Sequence, residues 1–153
     1  MKTRRATPAD AEEISALLHK LSHHFLACPS GPEAEAFFTA TSTERMAQYI
    51  AEESRVYVVA HDAKGLAGFI SLKGGTRISQ FFVEPRSQGQ GLGRKLWNEV
   101  RLMAGARDST EFTVDSSHNA VAVYESFGFT ASGPATQEGG VVFVPMHKAA
   151  RTP

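Results

Sequence analysis

Between Val83 and Leu96 the chain reads Val-Glu-Pro-Arg-Ser-Gln-Gly-Gln-Gly-Leu-Gly-Arg-Lys-Leu, with glycines alternating at 89, 91 and 93. A strand-like run from Ile78 to Val83 stops at Pro85, and an amphipathic helix pattern follows the glycines. Alternating glycines at the mouth of a helix leave backbone N–H groups bare, and the helix dipole favours negative charge there. The chemistry is that of an anion cradle, suited to a phosphate-bearing ligand. A P-loop requires Gly-x-x-x-x-Gly-Lys-Ser/Thr, and Arg94-Lys95 after Gly89 breaks that spacing. A dinucleotide fingerprint requires glycine at 94, where arginine stands, and a place after the first strand of a parallel unit. Taken alone, the glycines also suit a surface turn that caps a helix.

The elements that must position this loop are readable from periodicity. Thr7-Pro8-Ala9-Asp10 has the form of an N-cap, a proline at the first helical position and an acid in the first turn. Ile14, Leu17, Leu18 and Leu21 then give helix one a buried face. Residues 28 to 42, with Pro29, Gly31 and Pro32, suggest a loop with a short helix around Glu33 to Phe38. A further helix is expected over 43–53. Val56–His61 and Leu66–Leu72 form a hairpin across Asp62-Ala63-Lys64-Gly65, and Gly74-Gly75 turns into Ile78–Val83. Leu92, Leu96, Val100 and Met103 mark the helix after the glycines. Glu111–Val114 is a short strand, Ser117–Phe127 a helix, and Val141–Met146 a last strand with Pro145 at an edge or bulge. The order predicts one α/β (α+β) domain over residues 1–153, with a mixed, mostly antiparallel sheet.

A second segment narrows the ligand. Ser117-His118-Asn119-Ala120-Val121-Ala122-Val123-Tyr124-Glu125-Ser126-Phe127-Gly128-Phe129 carries Ala120, Tyr124, Gly128 and Phe129 at the spacing of Asn-x-x-Ala-x-x-x-Tyr-x-x-x-Gly-Phe, with Ser117 in place of the asparagine. Together with Gln88-Gly89-Gln90-Gly91-Leu92-Gly93 and the upstream Val83-x-Pro85, it resembles the GNAT superfamily of acetyl-CoA-dependent N-acetyltransferases. The two motifs lie within residues 78–129, and the element order extends the likeness over nearly the whole chain. The resemblance implies six to seven strands flanked by about four helices. It implies acetyl-CoA as cosubstrate, no metal, and binding by Phe82, Val83, Gln88, Gly89, Gln90, Gly91, Leu92, Gly93, Arg94, Ser117 and Tyr124. Ser117 is expected to cap its helix and to offer a hydroxyl to the pantetheine arm.

Acetyl transfer to an amine needs a polarised thioester carbonyl, a neutral amine and a stabilised leaving thiolate. For the carbonyl, the resemblance implies a bulge in Ile78–Val83, and one extra residue restores the broken phase between Ile78 and Phe81. The bulge frees a backbone N–H, of Phe82 or Val83, for the thioester oxygen; one such donor is worth about 3–4 kcal/mol in acyl-transfer sites. For the thiolate, Tyr124 is the expected acid, with water as the alternative proton source; read without its motif, Tyr124 would be a core tyrosine. For the amine, an alkylammonium of pKa near 10.4 costs about 4.6 kcal/mol to deprotonate at pH 7. The family often places an acid or histidine one or two positions after Ile78; Ser79 and Gln80 stand here. His118, Glu35 and the His23-His24 pair are unranked alternatives, beside a water held by Ser79 or Gln80.

The acceptor site is expected between helices one and two and at the late strands, where Phe25, Phe37 and Phe38 cluster, with Tyr49 and Tyr57 near. Glu33, Glu35 and Glu44 are too few to suggest a polyamine site. The expected acceptor is the primary amine of a small molecule, by direct transfer; peptide or protein amines remain open, as does a non-catalytic acyl-CoA sensor. Sixteen basic and sixteen acidic residues give no excess for nucleic acid, which argues against an aminoacyl-tRNA acetylator. His19 and His23 share a helix face but lack a third ligand at zinc spacing. The single Cys28 cannot form an intramolecular disulfide and suits a reducing compartment. No signal peptide and no apolar run of about 18 residues is apparent, so a cytoplasmic protein is expected. Homodimers are common in the family, and no interface is identifiable from the sequence.

Overall fold

The computed structural model describes residues 1–28 and 30–150; Pro29, expected in the loop after helix one, lies outside them. The elements run β1 (Lys2–Arg5), α1 (Ala11–Lys20), α2 (Pro32–Ala40), α3 (Thr43–Ala51), β2 (Arg55–Asp62), β3 (Gly65–Lys73), β4 (Arg77–Val83), α4 (Leu92–Met103), β5 (Phe112–Ser116), α5 (Val121–Ser126), β6 (Thr130–Ala131), β7 (Thr136–Glu138) and β8 (Val141–Lys148). Among the described residues there are thus eight strands and five α-helices, rather than six to seven and about four. The additions are β6 and β7, both paired to β8, and a full α2 of nine residues.

The sheet order is β1-β2-β3-β4-β5-β8-β6, and every described pairing is antiparallel except β4 with β5. That parallel pair joins only Arg77 to Thr113 and Ile78 to Val114. Beyond Ile78 the two central strands separate, and a wedge opens between them. One sheet face carries Ile70, Leu72 and Ile78 under Leu96, Trp97 and Val100 of α4, with Phe127 and Phe129 around them. The other carries Tyr57, Val59 and Phe69 under Ile14, Leu18, Met46 and Ile50 of α1 and α3. Ile14 and Leu18 lie one turn apart on α1, so the predicted stripe is the buried one.

Local chemistry fixes the connections. The Asp10 carboxylate accepts from the Thr7 N–H at 2.8 Å and from Arg4 at 2.7 Å, which ties the chain entering α1 to β1. Ser42 caps α3 through the Arg45 N–H, and Asp62 accepts from the Lys64 N–H in the β2–β3 turn. After α1 the chain is stitched to the last hairpin: Ala27 N–H donates to the Gly140 carbonyl and Val142 N–H to the Phe25 carbonyl. This stitch lays Phe25 and Leu26 beside Ala34, Phe37, Phe82 and Val141 in a third apolar cluster at the wedge.

Candidate functional site

The wedge is bounded by a bulge in β4. Ser71 faces Gln80, and the next residue, Leu72, faces Ile78, so Ser79 is the extra residue. The bulge restores the phase that places Ile78 and Phe81 on the α4 face. Two bonds hold it: Ser79 Oγ meets Ser71 Oγ at 2.5 Å, and Tyr57 Oη donates to Gln80 Oε1 at 2.8 Å. Gln80 also reaches Met46 Sδ, so its side chain points toward α3.

The register decides which amides face the wedge. Glu84 N–H donates to the Ala67 carbonyl at 2.8 Å, so that pair is hydrogen-bonded. In an antiparallel ladder bonded and non-bonded pairs alternate. Phe82 with Phe69 and Gln80 with Ser71 are then bonded, whereas Val83 with Gly68 and Phe81 with Ile70 are not. Phe82 N–H is therefore taken by β3, and the amides of Phe81 and Val83 face the wedge. Of the two donors expected from sequence, only Val83 points there, and Phe81 joins it. The Val83 carbonyl, on that same side, accepts from Gln88 Nε2 at 3.1 Å.

Beyond β4 a 3-10 turn at Pro85–Ser87 leads into the glycine loop. Gly91 is the N-cap of α4 at φ +80°, in the left-handed region that favours glycine. Gly93 lets the helix approach the strand, since a Cβ there would stand 3.2 Å from Phe81 Cζ. Among the described residues, no protein acceptor meets the N–H groups of residues 89 to 94. Six bare amides at one helix mouth fit an anionic group. Arg94 lies at the loop's edge, donating to the Ser126 carbonyl and stacking over Phe127 at 5.1 Å. Lys95 turns away and bonds the Met1 carbonyl.

Two cavities meet at the wedge. The larger, about 400 Å³, is walled by Phe81–Val83, by the loop from Ser87 to Arg94 apart from Gln90, and by Ser117, Asn119, Val123 and Tyr124. The smaller, about 230 Å³, is walled by the bulge, β5 and β8, with Leu18, Phe25 and Phe37. Phe81, Phe82, Ser117, Ala120 and Tyr124 belong to both. Tyr124 is 4% exposed, its ring set edge-on to Phe81 at 5.9 Å and to Phe129 at 5.7 Å. Its hydroxyl has no protein partner among the described residues, and burial pushes its pKa above the usual phenol value.

Several sequence expectations shift at this level. Gln90 is outside the cavity wall, because its side chain donates to the Arg86 carbonyl. Ser117 precedes a 3-10 turn at His118–Ala120 but caps nothing with its side chain; its hydroxyl donates to Asn119 Oδ1 at 2.7 Å. Asn119, off register in the motif, is in the larger cavity's wall. So are Leu21 and His24, which follow α1; of the His23-His24 pair named among the alternative bases, His24 is the member in this wall. Burial and the neighbouring His23 hold the His24 imidazole below its ordinary pKa. His118 and Glu35 line neither cavity. Phe38 packs on His19, Tyr49 lies under Arg55, and Tyr57 is core, so of the five aromatics expected at the acceptor site Phe25 and Phe37 line the smaller cavity. Glu84, just beyond β4, is buried between Lys20 at 2.8 Å and Arg86 at 3.0 Å. Far from both cavities, Asp10, Glu13 and His61 bring possible metal-ligand atoms together, but Arg4 holds both oxygens of Asp10.

A mixed sheet split between its two central strands, with an amide cradle at the split, defines the class: an acetyltransferase fold. The chain matches the acetyltransferase (GNAT) domain over residues 17–150 and belongs to that family, which makes it an acyl-CoA-dependent N-acetyltransferase. Solved structures agree in fold. A GCN5-related N-acetyltransferase from Rhodopseudomonas palustris is 25% identical, with TM-score 0.75, covering 97% of this chain and 94% of that one. The PaiA N-acetyltransferase from Thermoplasma acidophilum, solved with coenzyme A, is 17% identical with TM-score 0.77, at 97% and 98% coverage. An aminoglycoside 6'-N-acetyltransferase, also solved with coenzyme A, is 15% identical with TM-score 0.70, at 100% and 99% coverage. No curated protein matches the chain.

Proposed function

We propose that the protein moves the acetyl group of acetyl-CoA directly onto a primary amine of a small molecule. The observation that carries this reading is the meeting of two cavities at Tyr124. The larger suits acetyl-CoA: its pyrophosphate against the bare amides of residues 89–94, its thioester beside β4. The smaller suits the acceptor. A sensor needs only the first cavity, so the second favours an enzyme with a bound amine.

In this reading the Val83 or Phe81 amide donates to the thioester oxygen. The amine nitrogen forms the new C–N bond, and the C–S bond breaks. The Tyr124 hydroxyl donates to the leaving sulfur. Because burial raises the phenol pKa, its main service is a strong hydrogen bond; as the C–S bond breaks, the phenol proton passes to the sulfur and a proton from water restores the phenol. The amine's proton leaves to water. Gln80 is occupied by Tyr57 and Ser79 by Ser71, so neither offers a base.

Calorimetric titration with acetyl-CoA and a thiol-release assay with small primary amines test the proposal. Binding with CoA release only in the presence of an amine is the expected result. Binding without turnover on any amine would leave a sensor, and CoA release with an enzyme-bound acetyl group would replace direct transfer by a covalent route.

A further inference from the structure

The smaller cavity has a wall that speaks to its occupant. Phe25 stands edge-on to Phe37 at 5.2 Å and tilts against Phe82 at 5.6 Å. Leu18, Val141 and Phe143 continue that surface. Among the described lining residues Asp115 is the one carboxylate, and Arg77 holds it at 2.6 Å. Glu33 lies against Gly140, outside the wall.

A polyamine or aminoglycoside presents several ammonium groups, and each needs a carboxylate or water when it is bound. Here one acid is present and already neutralised. An aromatic or branched hydrocarbon body, by contrast, loses water against phenylalanine faces on entry. The cavity has room for about eight water volumes at ~30 Å³ each, a fit for one ring or one branched chain.

The missing strand base fits the same picture. The phenylalanine side of a wall that also carries Arg77, Ser79 and Gln80 disfavours the ammonium form and lowers the pKa of a bound amine. The neutral amine is then the form the pocket stabilises, and water suffices to carry the proton away.

We propose that the acceptor is a primary monoamine on an aromatic or branched aliphatic body, and that the pocket turns away polycations. This rests on the reading of the smaller cavity as the acceptor site. Initial rates of CoA release at saturating acetyl-CoA are compared for 2-phenylethylamine, tryptamine and isoamylamine against spermidine and tobramycin. The expected kcat/KM is at least about 30-fold higher for the apolar amines, within the range a hydrophobic pocket can discriminate. Equal or better turnover of spermidine or tobramycin overturns the inference and leaves small-amine acetylation standing. No turnover of any amine, with acetyl-CoA bound in the calorimeter, overturns the acetylation reading and this one with it. In Phe37→Glu the ratio of 2-phenylethylamine to spermidine should fall about tenfold while the acetyl-CoA Kd stays put. An unchanged ratio in a folded Phe37→Glu overturns the role of the aromatic wall, and Phe37→Ala provides a second, uncharged check on the same ratio.

Discussion

The two cavities share Tyr124 but are built from different parts of the polypeptide. The polar contacts of the larger are backbone-made: bare amides of residues 89–94, a helix mouth, and the amides of β4 turned into the wedge. The smaller is side-chain-made, with Leu18, Phe25, Phe37, Phe82 and Phe143 supplied by α1, the segment after it, α2, β4 and β8. A backbone site holds a ligand common to many acceptors and tolerates little change in conformation. A side-chain site can be rewritten one residue at a time. In the proposed reading, the donor is fixed by the fold and the acceptor by a few exchangeable rings. Deprotonating an alkylammonium costs about 4.6 kcal/mol at pH 7. Burying an apolar body strengthens binding of both protonation states alike, so that cost is lowered only by the part of the wall that touches the amine itself.

The largest expected effect falls on the backbone site. Gly91→Glu forces a side chain onto a residue at φ +80° and puts a carboxylate at the mouth of α4. Acetyl-CoA affinity should fall more than about 100-fold, from conformational strain and like charge together. Calorimetry on protein with native circular dichroism checks it. Retained affinity would mean that the loop amides do not hold the pyrophosphate.

Tyr124→Phe tests the junction. Turnover should drop roughly 100-fold, the lower end of what a positioned acid contributes, while the acetyl-CoA Kd moves less than about threefold. The wild-type pH profile offers a second reading of the same group. A phenol with a raised pKa stays protonated beyond its ordinary value of about 10, so kcat should show no alkaline fall up to pH 10. A fall near pH 9 would assign the proton to another group.

What the sequence revealed follows the same division. Residues 88–94 and 117–129 are contiguous, so spacing alone exposes them, and the phase break between Ile78 and Phe81 exposes the bulge. The choice of Val83 over Phe82 needs the pairing of Glu84 with Ala67, a fact of register between strands. Phe143 gives no sign in sequence of sharing a wall with Phe25; only the stitch of Ala27 and Val142 across the last hairpin brings them together. The strands β6 and β7 are two and three residues long in a segment rich in glycine, and both pair with β8. His24 joins the larger cavity because α1 ends over the wedge, and nothing in its neighbours signals that.

Phe143→Ala sharpens the comparison at the side-chain site. It removes one ring from the acceptor wall at a position that does not line the larger cavity. KM for an apolar amine should rise about tenfold, as expected for a lost hydrophobic contact of 1–3 kcal/mol, with acetyl-CoA affinity unchanged. Parallel losses in both affinities would show that the two cavities are not independent.

The smallest effect belongs to Gln90→Ala, and it separates a backbone cradle from a side-chain one. Gln90 lies in the middle of the glycine motif, between two residues whose amides are bare. Its side chain leaves the cavity to meet the Arg86 carbonyl at 3.2 Å, in an exposed bond of little net value. If the main chain does the binding, removing this amide group leaves the 89–94 amides where they are. Acetyl-CoA Kd should then change less than about twofold and stability by no more than about 0.5 kcal/mol. A tenfold loss of affinity in a protein of unchanged thermal midpoint would mean that the side chain swings into the cradle when acetyl-CoA binds. The anion cradle would then be partly side-chain-made, and the contrast between the two cavities would fail at its clearest point.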